Sequence, residues 1–107
     1  MKFLITGVSG FVGEELVNYL QQNTENSILG IDRNKDLSSE KIIFKKCDLI
    51  TETNKLKEIF KDYRPDVVIH CASKILDTYD KKLVWKTNYY ATKDLIEISS
   101  KYSVKKF

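Results

Sequence analysis

Three glycines near the N-terminus are spaced at three-residue intervals, as Gly7-x-x-Gly10-x-x-Gly13. The apolar run at 2–6 before them predicts a strand, and the helical spacing of apolar residues from Val12 onward predicts a helix after them. A glycine turn between a strand and a helix lets backbone N–H groups approach a phosphate, where the helix dipole favours negative charge. We therefore predict a pyrophosphate-binding loop in which Gly7 makes the turn, Gly10 admits the ligand and Gly13 lets the helix pack on the sheet.

An acidic residue follows the loop at the distance typical of a ribose-binding carboxylate. Asp32 ends a second apolar run at 28–31, about twenty residues after the glycines, where such an acid accepts hydrogen bonds from adenosine ribose hydroxyls. The alternative is a tight structural turn, with Asp32 capping a strand end. Arg33 comes next and is able to pair with a 2′-phosphate. Because the Asp32 carboxylate repels that phosphate, we expect NAD to be the cofactor rather than NADP.

The rest of the chain alternates between strands and helices. Strands are predicted at 2–6, 28–32, 41–47 and 67–71, helices at about 12–22, 56–63 and 84–99, and polar loops at 33–40 and from Ser73 to about Asp80. Val67-Val68-Ile69-His70-Cys71 is a continuous apolar run, typical of a strand buried on both faces of a parallel sheet. Alternation of this kind predicts right-handed βαβ units and a doubly wound, Rossmann-like α/β sheet with strand order 3-2-1-4.

Length and composition limit the classes of protein that fit. With 107 residues, 42% hydrophobic and 31% charged, we expect one partial domain over 1–107. No apolar run reaches the ~20 residues of a membrane span, and no secretory signal is evident, so we expect a cytoplasmic protein without a membrane partner. Two cysteines without CxxC spacing argue against a zinc or other metal site. The net charge of +3 comes from scattered lysines, which argues against a nucleic-acid partner.

The motif Thr6-Gly7-x-x-Gly10-Phe11-x-Gly13 resembles the glycine motif of the extended short-chain dehydrogenases/reductases, the NAD-dependent epimerase/dehydratase family, whose members act mostly on nucleotide sugars. Asp32 matches the family's ribose-binding acid. In Cys47-Asp48-Leu49, Asp48 and Leu49 are similar to the family's Asp-Leu pair after strand 3, which contacts the adenine. Residues 64–73 are similar to its fourth-strand segment, which lines the ribose and nicotinamide side of the cofactor. The resemblance implies a cofactor site formed by Gly7, Ser9, Gly10, Phe11, Val12, Gly13, Asp32, Arg33, Asp48, Leu49, Cys71, Ala72 and Ser73.

The resemblance also implies where the chemistry of the family lies. Asn88-x-x-Ala91-Thr92-x-x-Leu95-Ile96 is similar to the family's helix after strand 4, and 104–107 to the lead-in to its strand 5. The family's catalytic Ser or Thr, its Tyr-x-x-x-Lys pair and its substrate-binding portion come later. We therefore expect the NAD(P)-binding part of a nucleotide-sugar epimerase, dehydratase or reductase, with no turnover of its own. The alternative is a stand-alone dinucleotide-binding or interaction module.

Three kinds of residue imitate catalytic groups: a Tyr-Lys pair, the histidine and the cysteines. Tyr89-x-x-x-Lys93 fits the family's catalytic pattern, in which a lysine lowers the pKa of a tyrosine, but it lies on the helix before strand 5. We interpret it as an ordinary exposed turn. His70 lies within an apolar strand, which favours a hydrogen-bonded core histidine over a catalytic base. Cys71 and Cys47 are interpreted as small buried residues rather than nucleophiles.

Two surfaces of the last part of the chain predict a homo-oligomer. Without a fifth strand, the apolar strand at 67–71 has an edge that no charge or proline protects. The last helix would also expose some of its apolar residues, among them Val84, Trp85, Tyr89 and Leu95. Related enzymes commonly dimerise through this helix and the next. We therefore expect the isolated chain to self-associate, through the strand edge or through the helix.

Overall fold

A computed structural model describes residues 1–33, 42–73 and 80–107. The described part contains the strands β1 (Lys2–Thr6), β2 (Ser27–Asp32), β3 (Ile43–Lys46) and β4 (Val67–His70), and the helices α1 (Phe11–Leu20), α2 (Thr53–Tyr63), α3 (Lys81–Trp85) and α4 (Ala91–Lys101). The predicted loop beyond Arg33, the predicted strand start at Lys41 and the predicted loop from Ser73 to Asp80 lie wholly or mostly outside the described residues. No helix within the described ranges is long and apolar enough to cross a membrane.

The strands of the described part pair in parallel in the order β3-β2-β1-β4. Thr6, the last residue of β1, lies opposite Ile31 of β2 and His70 of β4. The three strands therefore end level with one another, and the segments that follow them leave from the same end of the sheet. The predicted doubly wound order is confirmed, and a ligand site is expected beside the ends of β1 and β4.

Alternate side chains of the sheet fill two apolar cores on its opposite faces. Leu4 packs with Phe60 of α2 and Leu95 of α4, and all three side chains are fully buried. Ile5, the next residue of β1, lies on the other face and packs with Val17 of α1. Each large apolar side chain buried in this way stabilises the fold by roughly 1.5–3 kcal/mol. Helices on both faces thus hold the strand ends in place.

β4 is less buried than its apolar sequence predicts. Val68 is buried, whereas Val67, Ile69 and His70 are each partly exposed. Ile69 lies on the face covered by α1, where Ile5 of β1 is among the buried residues. The buried strand residues of that cluster include Ile5 of β1 and Ile28 of β2, whereas Ile69 of the outer strand is only partly covered.

The outer edge of β4 is partly paired, which corrects the predicted open edge. The Val68 N–H donates to the Lys106 carbonyl at 2.9 Å, and the Lys105 N–H donates to the Asp66 carbonyl at 2.9 Å. Lys105 Nζ also lies 3.4 Å from the Asp66 carboxylate. These contacts form a parallel bridge that begins a fifth strand beside β4. The first half of the edge is therefore protected.

The helix predicted at 84–99 is interrupted by a wider turn. A π-helical turn at Lys86–Tyr90 joins α3 to α4, and such a turn inserts one extra residue into the helical repeat. Asn88 is exposed, and Thr87 is partly buried. Of the four apolar residues expected among the exposed ones of this helix, Trp85 and Tyr89 are exposed, whereas Val84 and Leu95 are buried.

Candidate functional site

A cleft opens at the carboxyl end of the sheet, between the turn after β1 and the segments that follow β2, β3 and β4. Among the described residues it is lined by Gly7, Ser9, Gly10, Ile31, Asp32, Arg33, Cys47, Asp48, Leu49, Ile50, Cys71, Ala72, Ser73 and Thr87. The fold thus brings together predicted site residues from four distant segments. The cleft lies where parallel α/β sheets bind ligands, beside the strands at which the order reverses.

Three predicted site residues lie outside the lining of the cleft. Phe11, Val12 and Gly13 form the first turn of α1, and the Phe11 side chain is 88% exposed. Gly10 occupies the helix N-cap, where no side chain of the described residues accepts a hydrogen bond from the helix. The first N–H groups of a helix lack partners within the helix. This turn therefore offers backbone donors, rather than side chains, to an anion beside Gly10.

The backbone of the turn requires glycine at Gly7 and at Gly13, for different reasons. Gly7 has a φ of 67°, and a Cβ there would lie 2.6 Å from the Ala72 nitrogen. At Gly13 a Cβ would overlap the Gly7 carbonyl oxygen. Gly13 therefore lets α1 begin against the turn itself, which corrects the predicted contact with the sheet.

Gly10 differs from both, because the protein's own packing does not require it. Its φ is −79°, which any residue adopts, and a Cβ there would meet only the Gly7 carbonyl oxygen, at 3.3 Å. Gly10 also lines the cleft. The missing side chain thus leaves space on the ligand side of the turn, so the residues present fit a phosphate-bearing group.

Hydrogen bonds tie the glycine turn to the end of β2. The Gly7 N–H donates to the Ile31 carbonyl at 2.9 Å. The Ser9 N–H donates to Asp32 Oδ2 at 3.2 Å, and the Ser9 hydroxyl donates to the same oxygen. On the other side of the carboxylate, the Arg33 N–H donates to Oδ1 at 2.7 Å. The predicted phosphate loop and the predicted ribose acid therefore form one hydrogen-bonded unit.

Asp48 organises the cleft wall after β3. Its Oδ1 accepts the N–H groups of Ile50 at 2.8 Å and Thr51 at 3.2 Å, and its own N–H donates to Glu52 Oε1 at 3.0 Å. Such a carboxylate fixes a turn by replacing backbone partners. The turn holds Leu49 nearly buried in the cleft wall. Sequence reasoning predicted a ligand-contacting role for Asp48 and missed this structural one.

His70 lies behind the cleft and not in its wall. Both ring nitrogens make hydrogen bonds, Nδ1 with Thr6 and Nε2 with Thr92. Burial lowers the pKa of His70 below its ordinary value. The predicted interpretation as a hydrogen-bonded structural histidine is confirmed, although the ring is only partly buried.

Both cysteines contribute to the cleft wall as neutral thiols. Burial, reinforced by the Glu52 carboxylate, raises the pKa of Cys47 to about 11. Burial also raises the pKa of Cys71, which is more exposed than predicted. A thiol is nucleophilic as the thiolate, so neither group is activated. Within the described ranges, no cluster of three or more His, Cys, Asp or Glu residues is placed to hold a metal ion.

Four lining residues were missed by sequence reasoning. Ile31, Cys47 and Ile50 each adjoin a predicted site residue, so adjacency to the motifs is the signal that identifies them. Thr87 had no such signal, because in a regular helix Asn88, rather than Thr87, shares a face with Val84 and Leu95. The π-helical turn places Thr87 at the cleft, and its hydroxyl oxygen is buried without a hydrogen-bond partner among the described residues.

The Tyr89-x-x-x-Lys93 pair lies away from this cleft. Tyr89 is 50% exposed and Lys93 is exposed. Both line a separate groove along the helix, together with Asn88, Thr92, Ile96 and Glu97. The geometry therefore gives the pair no contact with the cleft.

Several curated relatives of the chain are named as dTDP-glucose 4,6-dehydratases. The dTDP-glucose 4,6-dehydratases of Haemophilus influenzae and Salmonella typhimurium are 30% and 31% identical to it over 117 residues, and each alignment covers 95% of the chain. The same alignments cover 34% and 32% of those enzymes. The chain thus spans about a third of the length of these relatives.

Solved structures share the fold. The Bordetella bronchiseptica enzyme WbmG in complex with NAD matches with a TM-score of 0.88 at 24% identity, over 98% of this chain and 35% of that one. The L-threonine dehydrogenase of Clostridium difficile matches with a TM-score of 0.80 at 29% identity, over 99% of this chain and 35% of that one. Both likenesses extend over nearly all of the chain.

A family model places the chain among these proteins. The model of the NAD dependent epimerase/dehydratase family matches residues 3–107. That range includes the glycine turn, Asp32, the segment after β3 and the end of β4. The chain therefore belongs to the NAD dependent epimerase/dehydratase family.

Proposed function

We propose that this chain binds NAD in the cleft at the carboxyl end of the sheet, as the cofactor-binding part of an enzyme that converts nucleotide sugars. The observation that carries the proposal is the convergence of the glycine turn, Asp32 and the segments after β3 and β4 on one cleft. Each contributes a different group: backbone donors, a carboxylate and an apolar wall. A dinucleotide needs all three, for its pyrophosphate, its ribose and its bases.

Each part of the cofactor has a proposed partner. The turn at Gly10 and the first turn of α1 hold the pyrophosphate, because backbone N–H groups and the helix dipole attract it. Asp32 accepts from the adenosine ribose, and Leu49 covers the adenine. By family resemblance, 71–73 face the nicotinamide side. Bound NAD supplies reversible hydride transfer, while the chain positions the ring and keeps it beside a partly apolar wall.

The names of the relatives support a nucleotide sugar as the substrate of the whole enzyme. Those described above are named for dTDP-glucose, and the Bordetella bronchiseptica enzyme WbmG was solved with NAD and UDP as well as with NAD alone. We propose a nucleoside-diphosphate sugar as the substrate of the whole enzyme. The 107 residues by themselves should bind the cofactor without turnover, because Tyr89 and Lys93 lie away from the cleft. An assay with nucleotide sugars and NAD that showed turnover would contradict this expectation.

Isothermal titration calorimetry with NAD and NADH tests the binding proposal. Saturable binding of one cofactor per chain is expected, and Gly10→Val should abolish it while circular dichroism shows an intact fold. A Cβ at Gly10 meets only the Gly7 carbonyl oxygen, at 3.3 Å, and the valine side chain would occupy the space proposed for the pyrophosphate. Ser100→Ala, on the exposed side of α4, is the control that should bind as the parent chain does. Absence of binding to folded protein at millimolar NAD or NADH would overturn the proposal.

A further inference from the structure

The contact between Ser9 and Asp32 joins the turn proposed to hold the pyrophosphate to the acid proposed to bind the ribose. Ser9 belongs to the turn that holds the pyrophosphate, and Asp32 is the acid proposed for the ribose. The Ser9 N–H lies 3.2 Å from Asp32 Oδ2, and the Ser9 hydroxyl donates to that same oxygen. Both residues line the cleft. A change at one end of this contact is therefore transmitted directly to the other.

The carboxylate plane of Asp32 is defined by donors on both of its oxygens. Ser9 supplies two donors to Oδ2, and the Arg33 N–H supplies one to Oδ1 at 2.7 Å. The Arg33 bond comes from the next residue in the chain and constrains the side chain only locally. The Ser9 bonds come from another strand end, 23 positions away in sequence. They hold the carboxylate in place relative to the glycine turn.

We infer that Ser9 is a positioning residue that fixes the Asp32 carboxylate for the adenosine ribose and so sets the preference for NAD over NADP. This inference rests on the proposed function. A held carboxylate presents its acceptors to the ribose hydroxyls at no further entropic cost. It also stays where its charge repels a 2′-phosphate. Without the Ser9 bonds the carboxylate is held less firmly toward the glycine turn, so it excludes a 2′-phosphate less effectively and Arg33 is better able to pair with that phosphate.

Removal of the Ser9 hydroxyl should change both affinity and selectivity. The lost bond is a hydrogen bond to a charged group, so Ser9→Ala should weaken NAD binding by about tenfold. It should reduce the ratio of the NADP and NAD dissociation constants by about three- to tenfold, because NADP loses less than NAD does. Ser9→Thr keeps the hydroxyl, so it should retain most of the NAD affinity and most of the preference for NAD over NADP. Ser100→Ala is the matched control on an exposed helix position.

A double-mutant cycle shows whether Ser9 acts through Asp32. The dissociation constants for NAD are measured by calorimetry for the parent chain, Ser9→Ala, Asp32→Ala and the double variant. If Ser9 acts by positioning, Ser9→Ala has no further effect once Asp32 is alanine. Additive losses, or equal losses of NAD and NADP affinity in Ser9→Ala, would overturn the inference, since Ser9 would then contact the cofactor itself. Parent-like affinity and selectivity in Ser9→Ala would overturn it as well.

A measurement without cofactor separates this inference from the proposed function. In ¹H–¹⁵N spectra of the ligand-free chain, Ser9→Ala should shift the Arg33 amide, which donates to the same carboxylate, and Ser9→Thr should not. An unmoved Arg33 amide in Ser9→Ala would overturn the positioning role. A shifted Arg33 amide together with no NAD binding by the parent chain would instead overturn the proposed function and leave the contact between Ser9 and Asp32 established.

Discussion

The Thr6 hydroxyl oxygen lies 2.6 Å from His70 Nδ1, across the junction of β1 and β4. On the other side of the ring, Nε2 lies 2.8 Å from Thr92 Oγ1, and the Thr92 hydroxyl donates to the Asn88 carbonyl at 2.9 Å. Because Thr92 has one hydroxyl proton and gives it to Asn88, the Nε2–H must donate to Thr92. Nδ1 then accepts from Thr6, which satisfies every group with a neutral ring.

This chain of hydrogen bonds predicts acid-sensitive stability. Burial lowers the pKa of His70 from 6.5, so the unfolded state binds more protons than the native state. The contribution of His70 to the free energy of unfolding is complete above pH 6.5 and is lost as the pH falls through the folded pKa. Urea unfolding at pH 7.5 and 5.5 should show a larger loss for the parent chain than for His70→Gln. Equal losses would contradict the assignment, because His70 is the sole histidine.

Alanine at the two glycines Gly10 and Gly13 should have opposite effects on stability and binding. A Cβ at Gly13 overlaps the backbone of the turn, whereas a Cβ at Gly10 has only one neighbour, at 3.3 Å. Gly13→Ala should lower the free energy of unfolding by about 3 kcal/mol, a size typical of overpacking. Gly10→Ala should change it by less than about 1 kcal/mol and reduce NAD affinity instead. Similar stabilities of the two variants, measured by urea unfolding, would contradict this account.

The Asp32 carboxylate predicts a preference for NAD over NADP. Its charge repels a 2′-phosphate across a short distance in a partly shielded cleft, which corresponds to about tenfold or more in affinity. Calorimetric titrations should give a lower dissociation constant for NAD than for NADP, and Asp32→Ala should reduce the difference between these two constants. Equal or tighter binding of NADP by the parent chain would show that Arg33, rather than Asp32, dominates this part of the cleft.

Exposed aromatic side chains on the α3–α4 segment predict self-association. Trp85, Tyr89 and Tyr90 are 61%, 50% and 56% exposed, and their rings contact one another edge to face. Such a patch favours a protein contact. Sedimentation coefficients should rise with concentration, and Trp85→Lys should weaken association by about tenfold. Tyr19→Lys, at another exposed aromatic residue on α1, is the control. A parent chain that stays monomeric at high concentration would contradict the prediction.

The fold was predictable because its signals are local and agree with one another. Apolar runs identified the strands of the described part, and the helix predicted at 56–63 corresponds to α2, whose Leu56, Ile59, Phe60 and Tyr63 are buried. The glycine spacing and Asp32 located the cleft, since parallel strands end at the same end of a sheet. The partial exposure of β4 was not predictable in this way, because it depends on how completely other elements cover the outer strand, and the apolar sequence of β4 does not carry that information.

Details that depend on a register shift or on distant pairing were not predictable. The π-helical turn exchanges Asn88 for Thr87 at the inward position, and nothing in the spacing of apolar residues indicates it. The bridge to Lys106 agrees with the lead-in to a fifth strand that the family resemblance implies at 104–107. How far it covers the edge of β4 was not predictable, because it depends on backbone groups, which every sequence has. The contact between Ser9 and Asp32 was missed for a similar reason, because each residue was predicted to serve the ligand rather than the other.

A crystal structure of the chain with NAD would show directly whether the cleft holds the cofactor as proposed. The pyrophosphate is expected at the Gly10 turn and the N-terminus of α1, and the adenosine ribose hydroxyls within hydrogen-bond distance of the Asp32 carboxylate. The Ser9 hydroxyl is expected still to donate to that carboxylate. A dinucleotide bound elsewhere, or one bound in the cleft with its adenosine ribose away from Asp32, would contradict the account.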